Sequence, residues 1–585
     1  MALRICLVTP FAWSQPHEVN EHVAGVAREL RVLGHAVTII ASSNRAADLA
    51  AGRAALNGSL NGGELLALGP AVPISRRSRV GVPVGVRANV VRALRAGRFD
   101  VVHGFEPALP SLSYLALREA ESLAAATFFS PERLSYPPGR AQRERLLGRL
   151  DILLATSEDT ANAAALRFPG DYRLVSEGVD TSLFEPADKQ RLIVLELRQT
   201  ERPLLRAALH TLGELPDWRL TLLRTKPLTK RPYVPRTLLD RVDVRTARDS
   251  PSRAAILNDA AIFVPAVNGV SRLRLEAAAA GAAVASPPGM RGQPQLAAAE
   301  MGRLADDVAY RERRAGAARA SAEAQTFTDV ARELEEIYEQ LRGRKRTGKR
   351  AGDPLAGRDW IVVDLHTHTS ASHDCRVPPA LLLEHAETEG LGAIAVTDHN
   401  VFSGAQEVSE LARDRDIVVI PGEEVKTDGQ GEVIGLFLDT EIPRGLSFGD
   451  TIAAIKEQGG LVYLPHPFDR MHAIPDAATL HRHLGEIDVF EVYNARLLFE
   501  TYNDEALRFA RKYNLTMGAG SDAHVLQGIG TGALRMRAFD GPEEFLLSLR
   551  TAQVLRRPKS LVYLQGLKWV AQARERRKAT AGSAR

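Results

Sequence analysis

A pair of histidines at the end of an apolar run constrains the fold of this chain more than any other feature. Val362 and Val363 are predicted to end a buried strand, and His366 and His368 follow it two residues apart. Alternate side chains of an extended segment point the same way, so both imidazoles project together from the strand end. Two imidazoles so placed can chelate one metal ion, although an isolated pair also occurs as plain loop histidines.

The same design, an apolar run followed by a polar residue able to bind a metal, recurs four times further along the chain. The four runs are 393–396 before Asp398 and His399, 417–420 before Glu423 and Glu424, 461–464 before His466, and 517–520 before Asp522 and His524. Two further apolar runs, 433–438 and 489–493, predict additional strands, and the second carries Glu491. Helical segments are predicted between several of these runs. Strands that alternate with helices indicate a parallel sheet.

A βα barrel would bring these polar residues together. In such a barrel the carboxyl ends of the strands meet on one face, and the chemistry takes place there. Charged groups are rarely buried without a partner, so five such strand ends are not expected by coincidence. The pattern therefore predicts a multi-metal hydrolytic site.

These motifs resemble those of the PHP family, which is named for its polymerase and histidinol-phosphatase members. The family pattern His-x-His-Thr-x-x-Ser-x-Asp fits residues 366–374, and Thr-Asp-His, Gly-x-Glu, His-Pro and Ser-Asp-x-His follow in order. The resemblance covers about 359–555 and implies a distorted βα barrel that holds up to three divalent ions. The implied ligands are His366, His368, Asp374, His399, Glu424, His466, Asp522 and His524.

The motif Gly-x-Glu places the bridging ligand at Glu424 rather than at Glu423. The mixture of imidazole and carboxylate suits manganese, zinc or iron and argues against magnesium alone. The activity that this resemblance implies is hydrolysis of a phosphate ester on a small phosphorylated substrate.

Three further residues are candidates for catalysis in the barrel. Asp398 and Glu491 are candidate carboxylates that orient ligand histidines, although a plain structural hydrogen bond accounts equally well for each. Arg496 follows the strand of Glu491, together with Asn494, and is a candidate for binding a substrate phosphate. An ordinary surface role for Arg496 stays open.

The first part of the chain is predicted to form two Rossmann-like lobes. A strand at 4–8, a helix at 19–33 closed by Gly34 and a strand at 35–40 make the opening βαβ unit of a doubly wound domain. Later strands are predicted at 100–103, 151–155, 220–223, 242–244 and 261–264, with a helix at 271–280.

These segments resemble the family 4 glycosyltransferases, two-domain GT-B enzymes, and among them the mannosyltransferases that act on phosphatidylinositol. The matching pieces are 21–23, 33–37, 100–107, 110–117 and 178–180. The resemblance covers 1–342, closely in the first half and loosely in the second. It implies a GT-B fold and a sugar nucleotide or glycan as ligand, but a fold does not establish an activity.

The chain departs from that family at the residues that carry its chemistry. The family's Gly-Gly loop lets the backbone approach the donor diphosphate, but His17 and Glu18 stand there, and a carboxylate would repel a diphosphate. Phe129 replaces the histidine on the acceptor side. Asn268 replaces the first glutamate of the Glu-x7-Glu element.

Three donor contacts have candidates in this chain, namely Glu276 as the second glutamate of that element and Arg198 and Arg202 as phosphate-binding cations. A helix residue satisfied by local contacts explains Glu276 equally well. The four departures favour a non-catalytic module that recruits a nucleotide, glycan or partner. A working nucleotide-sugar-dependent transferase with an appended phosphatase is the alternative.

The amino-acid composition is that of an ordinary globular protein and narrows the function little further. The chain is 45% hydrophobic and 25% charged, and its net charge of +4 gives no general case for nucleic-acid binding. Cys6 and Cys375 fit no disulfide framework. A reducing cytoplasm is therefore the expected compartment. No apolar run approaches the roughly 18 residues of a membrane span, so no transmembrane segment is expected.

The predicted organisation has five segments. They are a GT-B N-terminal lobe at 1–180, a GT-B C-terminal lobe at 181–342, a basic linker at 343–358, the PHP barrel at 359–560 and a basic tail at 561–585. The linker and tail are expected to be solvated. Short basic runs such as the linker also bind anionic lipid or nucleic acid, and that alternative stays open.

Overall fold

The structure is a computed structural model, and the chain divides into two compact units, Met1–Arg342 and Gly343–Arg585. The residues that it describes are 2–58, 65–73, 81–82, 85–198, 200–225, 232–267, 272–343 and 352–557. Asn268, residues 344–351 of the basic linker and the whole basic tail lie outside the described residues. Within them, no helix combines the length and apolar character that crossing a membrane requires.

The first lobe of the N-terminal unit is built on a parallel sheet of seven strands. The strands of this lobe are β1 (Arg4–Val8), β2 (Ala36–Ala41), β3 (Leu65–Ala67), β4 (Val72–Pro73), β5 (Gly81–Val82), β6 (Val101–Phe105), β7 (Leu123–Phe128), β8 (Ile152–Ala155) and β9 (Tyr172–Leu174). The helices are α1 (Glu18–Val32), α2 (Ala46–Asn57), α3 (Arg87–Gly97), α4 (Leu112–Glu119), α5 (Arg140–Leu147) and α6 (Glu158–Ala165). The sheet order is β3-β2-β1-β6-β7-β8-β9, and β4 pairs separately with β5.

The second lobe repeats the design with five parallel strands. Its strands are β10 (Gln190–Glu196), β11 (Arg219–Arg224), β12 (Val242–Thr246), β13 (Ala260–Val264) and β14 (Ala283–Val284), in the order β12-β11-β10-β13-β14. Its helices are α7 (Arg202–Gly213), α8 (Ser250–Leu257), α9 (Arg272–Ala279), α10 (Pro294–Asp306), α11 (Val308–Glu323) and α12 (Phe327–Gly343), with a 3-10 turn at Arg236–Arg241. The prediction of two Rossmann-like lobes is confirmed. The central strand, β10, was not predicted from the sequence. Its first residues are exposed and polar.

The second unit is a strongly curved mixed sheet with helices between its strands. The strands are β15 (Trp360–Asp364), β16 (Ala393–His399), β17 (Val418–Lys426), β18 (Glu432–Leu436), β19 (Leu461–Leu464), β20 (Val489–Asn494), β21 (Met517–Gly520), β22 (Gly532–Arg537) and β23 (Gln553–Arg556). The helices are α13 (Pro379–Thr388), α14 (Ser403–Leu411), α15 (Phe448–Glu457), α16 (Ala477–His483), α17 (Glu500–Tyr513) and α18 (Gly541–Ser548), with a 3-10 turn at Leu526–Gly528.

The direction of β18 corrects the prediction of a purely parallel sheet. β15, β16 and β17 are parallel to one another, as are β19, β20 and β21, but β18 runs antiparallel to both of its neighbours. β22 and β23 are also antiparallel additions beside β15. A short turn joins β17 to β18, so no helix is needed to bring the chain back, as a parallel connection would require.

Backbone hydrogen bonds close the sheet into a barrel. The segment after β21 returns to the segment after β15, where Asp522 N donates to His366 O at 2.8 Å and His368 N donates to Ala523 O at 3.2 Å. Thr367 and Ala523 form a parallel bridge at this seam. The expected distorted barrel is confirmed, and its closure places the first and last candidate ligand segments side by side.

An apolar core lies behind the carboxyl ends of the barrel strands. It contains Val363, Leu365, Ala395, Ile420 and Tyr463, all of them buried. Each carries its side chain into the barrel, while the polar residues follow at the strand ends. The fold therefore separates the residues that stabilise the barrel from the residues that can carry chemistry.

A glycine at the seam keeps the two ligand segments close. A Cβ atom at Gly520 would lie 2.2 Å from the Cβ of His366 and 3.0 Å from Glu491 Oε1. Gly520→Ala should therefore lower the unfolding free energy of the barrel by about 1–3 kcal/mol and displace His366. Urea unfolding and metal content of the variant test this.

Gly357→Ala is the matched control, because nothing lies within 4 Å of a Cβ there. It should unfold as the parent does. Equal stability and equal metal content in the two variants would contradict the close packing at the seam.

Candidate metal centre

The loop after β15 delivers two fully buried imidazoles, His366 and His368, to the end of the barrel. Asp364, the last residue of β15, holds this loop in place. Its carboxylate accepts from Ser521 N and Gly530 N, both at 2.9 Å, and from His366 N at 3.3 Å. One buried carboxylate thus ties the loop of the first ligand pair to the segment that carries Asp522.

The Glu424 carboxylate lies at the centre of the cluster and is 1% exposed. Its Oε2 is 3.3 Å from His366 Nε2, 3.5 Å from His368 Nε2 and 3.1 Å from His399 Nδ1. Its Oε1 is 3.0 Å from His466 Nε2. One carboxylate therefore contacts four imidazoles that come from three strand ends, those of β15, β16 and β19.

The remaining predicted ligands complete the same cluster. Asp522 Oδ1 is 3.4 Å from His368 Nε2. Asp374 Oδ2 is 2.9 Å from His524 Nε2, and its Oδ1 is 3.7 Å from His399 Nε2. The structure brings all eight predicted ligand residues together at one end of the barrel.

The backbone is strained at two of these residues. His466 has φ 26° and Asp522 has φ 51°, which is the left-handed region that non-glycine residues rarely adopt. Such conformations persist where the surrounding structure enforces them, and they cluster at functional sites.

The donor atoms fit bound metal ions. Four sets of three residues each offer ligand atoms that lie within 4.8 Å of one another: His368, His399 and His524; His366, Glu424 and His466; His366, His368 and Asp522; and His399, Glu424 and Glu432. His368 Nε2 is buried and has no hydrogen-bond partner in the described part of the chain. This nitrogen faces two carboxylates, those of Glu424 and Asp522. Buried polar atoms are rarely left without a partner, so an unpaired imidazole nitrogen in such a place is typical of a metal ligand.

The electrostatics of the cluster favour positive charge. Burial alone would raise the pKa of Glu424, but His366 and His399 outweigh it and hold this pKa well below its ordinary value. Burial lowers the pKa of His466, yet the hydrogen bond and charge of Glu424 raise it to about 9. His366, His399 and His466 thus balance the charge of Glu424 with protons, whereas burial and the neighbouring His524 lower the pKa of His368. Divalent ions would supply the same balance.

Glu491 holds two candidate ligands in position. Its Oε1 is 3.2 Å from His366 Nδ1 and accepts from Tyr463 OH at 2.8 Å. Its Oε2 accepts from His466 N at 2.7 Å and from Asn494 Nδ2 at 3.1 Å. A carboxylate on the far nitrogen of a ligand imidazole fixes both its tautomer and its orientation.

Asp398 contacts Thr369 and Ser372 in the loop that follows the first histidine pair. It accepts from Thr369 N, Thr369 Oγ1 and Ser372 Oγ, each at 2.7 Å. Ser372 Oγ lies 3.3 Å from His368 Nδ1 and accepts from His399 N at 3.0 Å. Asp398 therefore positions the loop of the first histidine pair through Ser372 rather than by contacting an imidazole itself.

Arg496 lies at the edge of the cluster, with 36% of its side chain exposed. Its Nη1 donates to Asp522 Oδ1 at 3.2 Å and is 3.4 Å from His524 Nε2. Asn494 Nδ2 also lies 3.3 Å from Asp522 Oδ2. The guanidinium thus borders both the candidate ligands and solvent.

Glu432 is a further candidate ligand that was not predicted from the sequence. Its Oε2 is 3.7 Å from His466 Nε2, and it groups with His399 and Glu424. Glu432 begins β18, and the start of an antiparallel strand lies at the same edge as the carboxyl ends of its parallel neighbours. The only sequence signal was a carboxylate before an apolar run, the reverse of the order in the other strands.

In the N-terminal unit, Glu276 is fully buried and already paired. Arg253 donates to both of its carboxylate oxygens at 2.6 Å, and Arg272 Nε donates to Oε1 at 3.0 Å. Arg253 also donates to Glu21 Oε2 at 2.6 Å. The carboxylate expected at a donor sugar thus belongs to an ion-pair network that joins α1 to α8 and α9.

The other predicted contacts of this unit are dispersed or paired internally. Glu18 pairs with Arg133 at 2.5 Å, and Arg198 with Glu196 at 2.6 Å. Arg202 is exposed at the start of α7. Two remaining predicted positions are occupied by buried rings: His17 stacks on Phe11 at a centroid distance of 3.5 Å, and Phe129 packs against His22 at 5.0 Å.

The geometry of the second unit agrees with a known family. Residues 364–510 match the PHP domain family and residues 500–554 match the PHP-associated family. The second unit carries a PHP domain. The resemblance read from the five motifs is thereby confirmed, and the mixed barrel with its histidine and carboxylate cluster is the structure of this domain.

Residues 19–183 match Glycosyltransferase Family 4, so the PHP domain is joined to a glycosyltransferase-like region. A phosphatidyl-myo-inositol mannosyltransferase of Propionibacterium freudenreichii is 32% identical over 167 residues, which cover 28% of this chain and 42% of that protein. The match thus spans less than half of that relative. An uncharacterised protein of Methanocaldococcus jannaschii is 34% identical over 215 residues, covering 34% of this chain and 85% of that protein.

Two solved structures are similar to parts of the chain. A glycosyltransferase of Rickettsia africae covers 58% of this chain and 98% of its own at 15% identity and a TM-score of 0.41. A protein of Bifidobacterium adolescentis described as a metal-dependent phosphoesterase covers 28% of this chain and 87% of its own at 18% identity and a TM-score of 0.24.

The central position of Glu424 leads to a prediction about metal binding by the PHP domain. Glu424→Gln should lower manganese affinity by more than about 100-fold, because it removes the charge that faces four imidazoles. Mass-spectrometric metal analysis after equilibrium dialysis measures this. The apolar core behind the site is untouched, so circular dichroism should stay unchanged.

Glu389→Gln, at the C-terminal end of α13 and away from the cluster, is the charge-matched control. It should keep the full metal content. A folded Glu424→Gln protein with the metal content of this control would exclude Glu424 as a bridging ligand.

Proposed function

We propose that the PHP domain is a metal-dependent phosphoesterase that hydrolyses a phosphate monoester of a small molecule or nucleotide. The single observation that carries the proposal is the buried Glu424 carboxylate in contact with four imidazoles, with Asp522 and Asp374 beside them. Mixed imidazole and carboxylate ligands suit manganese, zinc or iron. The family match supports a phosphoesterase-type activity.

Each residue of the cluster has a proposed place as a ligand. Glu424, His366, His466, Asp522 and His368 would hold ions in the inner part of the cluster. His399 lies beside Glu424 and also beside Asp374 and His524, so these last two residues would add ligands at the more exposed end. Bound divalent ions supply a lowered pKa for water and charge neutralisation at phosphoryl oxygens.

The chain's own residues prepare and bind the substrate. Glu491 keeps His366 oriented, because Tyr463 OH and His466 N fix the carboxylate that faces His366 Nδ1. Arg496, half-exposed beside Asp522, is placed to donate to a phosphate oxygen of the entering ester. A planar guanidinium recognises phosphate through paired hydrogen bonds, so Arg496 would fix the orientation of the phosphoryl group.

Arg496 and the metal ligands should differ in how their removal affects KM, kcat and metal content. A screen of phosphate monoesters with the full chain and added manganese should reveal hydrolysis. Arg496→Ala should then raise KM by about 10- to 100-fold and keep its metal, since one charged hydrogen bond is lost. His366→Ala should nearly abolish kcat and lose metal.

Steady-state kinetics beside metal analysis distinguish the two variants. Arg413→Ala, which changes a largely exposed arginine just after α14, serves as the control and should match the parent. Loss of bound metal in Arg496→Ala, or unchanged KM with full activity, would contradict the proposed phosphate contact.

We further propose that the glycosyltransferase-like region is a non-catalytic module. Both oxygens of Glu276 are held by Arg253 and Arg272, and Phe129 stands where an acceptor-side histidine is expected. Glu18, at the position expected beside a donor diphosphate, is negatively charged and pairs with Arg133. The resulting role is the recruitment of a ligand or partner to the PHP domain.

The full chain should therefore transfer no sugar from GDP-mannose or UDP-glucose to phosphatidylinositol or water. Glu276→Gln should instead lower the unfolding free energy by about 3–5 kcal/mol, because it leaves buried arginines without their counter-charge. Radiolabelled donor assays and urea unfolding measure these two outcomes. Steady turnover that Glu276→Gln abolishes without loss of stability would favour the working transferase.

A further inference from the structure

A cavity of about 440 Å³ lies in the N-terminal unit between α9, α11 and the segment that follows β9. Its polar wall includes Ser176, Glu177, Arg272, Arg274 and Arg314. None of the donor contacts that the glycosyltransferase resemblance implies lines this cavity. The cavity is therefore distinct from those contacts but adjoins one of them, because Arg272 in its wall donates to Glu276.

Arg272 brings an unsatisfied donor to the cavity. Its side chain is 7% exposed, and its buried Nη1 has no hydrogen-bond partner among the described residues. The nearest carboxylate oxygen, Glu177 Oε2, is 3.9 Å away, beyond hydrogen-bond distance. Glu276 accepts from Arg272 Nε but is also paired with Arg253, so it does not neutralise Arg272 alone.

Arg314 presents a second donor of the same kind from α11. Its buried Nε has no hydrogen-bond partner in the described part of the chain and lies 3.9 Å from Glu300 Oε1. Its Nη2 donates only a long bond, of 3.4 Å, to Val284 O. Buried guanidinium nitrogens are rarely left without acceptors, because each loses its hydration without replacement.

The charge of the wall favours an anion. Three arginines line the cavity, Arg272, Arg274 and Arg314, against a single carboxylate, that of Glu177. Burial raises the pKa of Glu177 to about 7, although Arg272 opposes this, so Glu177 repels an anion only weakly near neutral pH. Hydroxyl groups of Thr156, Ser176 and Ser286 add neutral donors around the same space.

We propose that this cavity binds a small organic phosphate, with its phosphoryl group between Arg272 and Arg314. Arginine is the side chain best suited to phosphate oxygens, because its planar fork donates paired hydrogen bonds. A cavity of about 440 Å³ falls in the range of small-molecule sites and has room for an organic group beyond the phosphoryl group. The module would thus sense or recruit a phosphorylated metabolite, independently of the metal centre.

Isothermal titration of the full chain tests this binding site directly. The protein is first dialysed against chelator, so that metal in the PHP domain contributes no phosphate affinity. The probes are inorganic phosphate, ribose 5-phosphate, AMP and unphosphorylated ribose. One or both phosphomonoesters should bind more tightly than inorganic phosphate, and ribose should not bind.

Arg314→Gln should weaken phosphomonoester binding at least about tenfold, since a charged hydrogen bond is lost, and Arg274→Gln/Arg314→Gln should weaken it further. Both positions are partly or fully exposed, so these variants should stay folded. Arg313→Gln, an exposed neighbour on α11 outside the cavity wall, should bind as the parent does.

Two results would overturn the proposal. One is the absence of binding by either phosphomonoester up to about 5 mM, which leaves the cavity without a phosphate site of useful affinity. The other is binding that Arg314→Gln and the double variant leave unchanged, because the phosphate would then be held elsewhere on the chain.

Discussion

A buried carboxylate surrounded by imidazoles is the interaction on which the PHP domain depends. Glu424 is almost without solvent, and a charged carboxylate is costly in such a place unless positive groups compensate it. Three strand ends, those of β15, β16 and β19, supply that compensation, and each must bring its imidazoles to the same carboxylate. The closure of the barrel, the strained backbone at His466 and Asp522, and the anchoring by Asp364 all serve this convergence.

In the barrel, different residues stabilise the fold and form the candidate metal site. Apolar side chains such as Leu365 and Ile420 fill the interior and stabilise the fold, while the polar residues follow where the strands end. Glu491 and Asp398 add a supporting layer: one faces an imidazole directly, and the other holds the loop through Ser372. This layer fixes the candidate ligands before any ion binds.

Much of this arrangement was predictable from sequence, and the exceptions have physical reasons. His366, Glu424 and Asp522 could be found because local spacing places a polar group directly after an apolar run. Glu432 and the direction of β18 could not, since strand pairing depends on contacts between distant segments. Strand β10 could not be predicted because it begins with exposed polar residues. The ion-pair network of Glu276 could not be predicted either, because it includes Arg253 and Glu21, which lie far apart in sequence.

The proposed activity of the PHP domain requires metal ions at the Glu424 carboxylate. Anomalous scattering from a crystal grown with manganese would locate them without any assumption about the substrate. We predict anomalous peaks on both sides of this carboxylate, in contact with the imidazoles of His366, His399 and His466. A well-ordered barrel with no peak beside Glu424, or with manganese bound only elsewhere, would contradict the account.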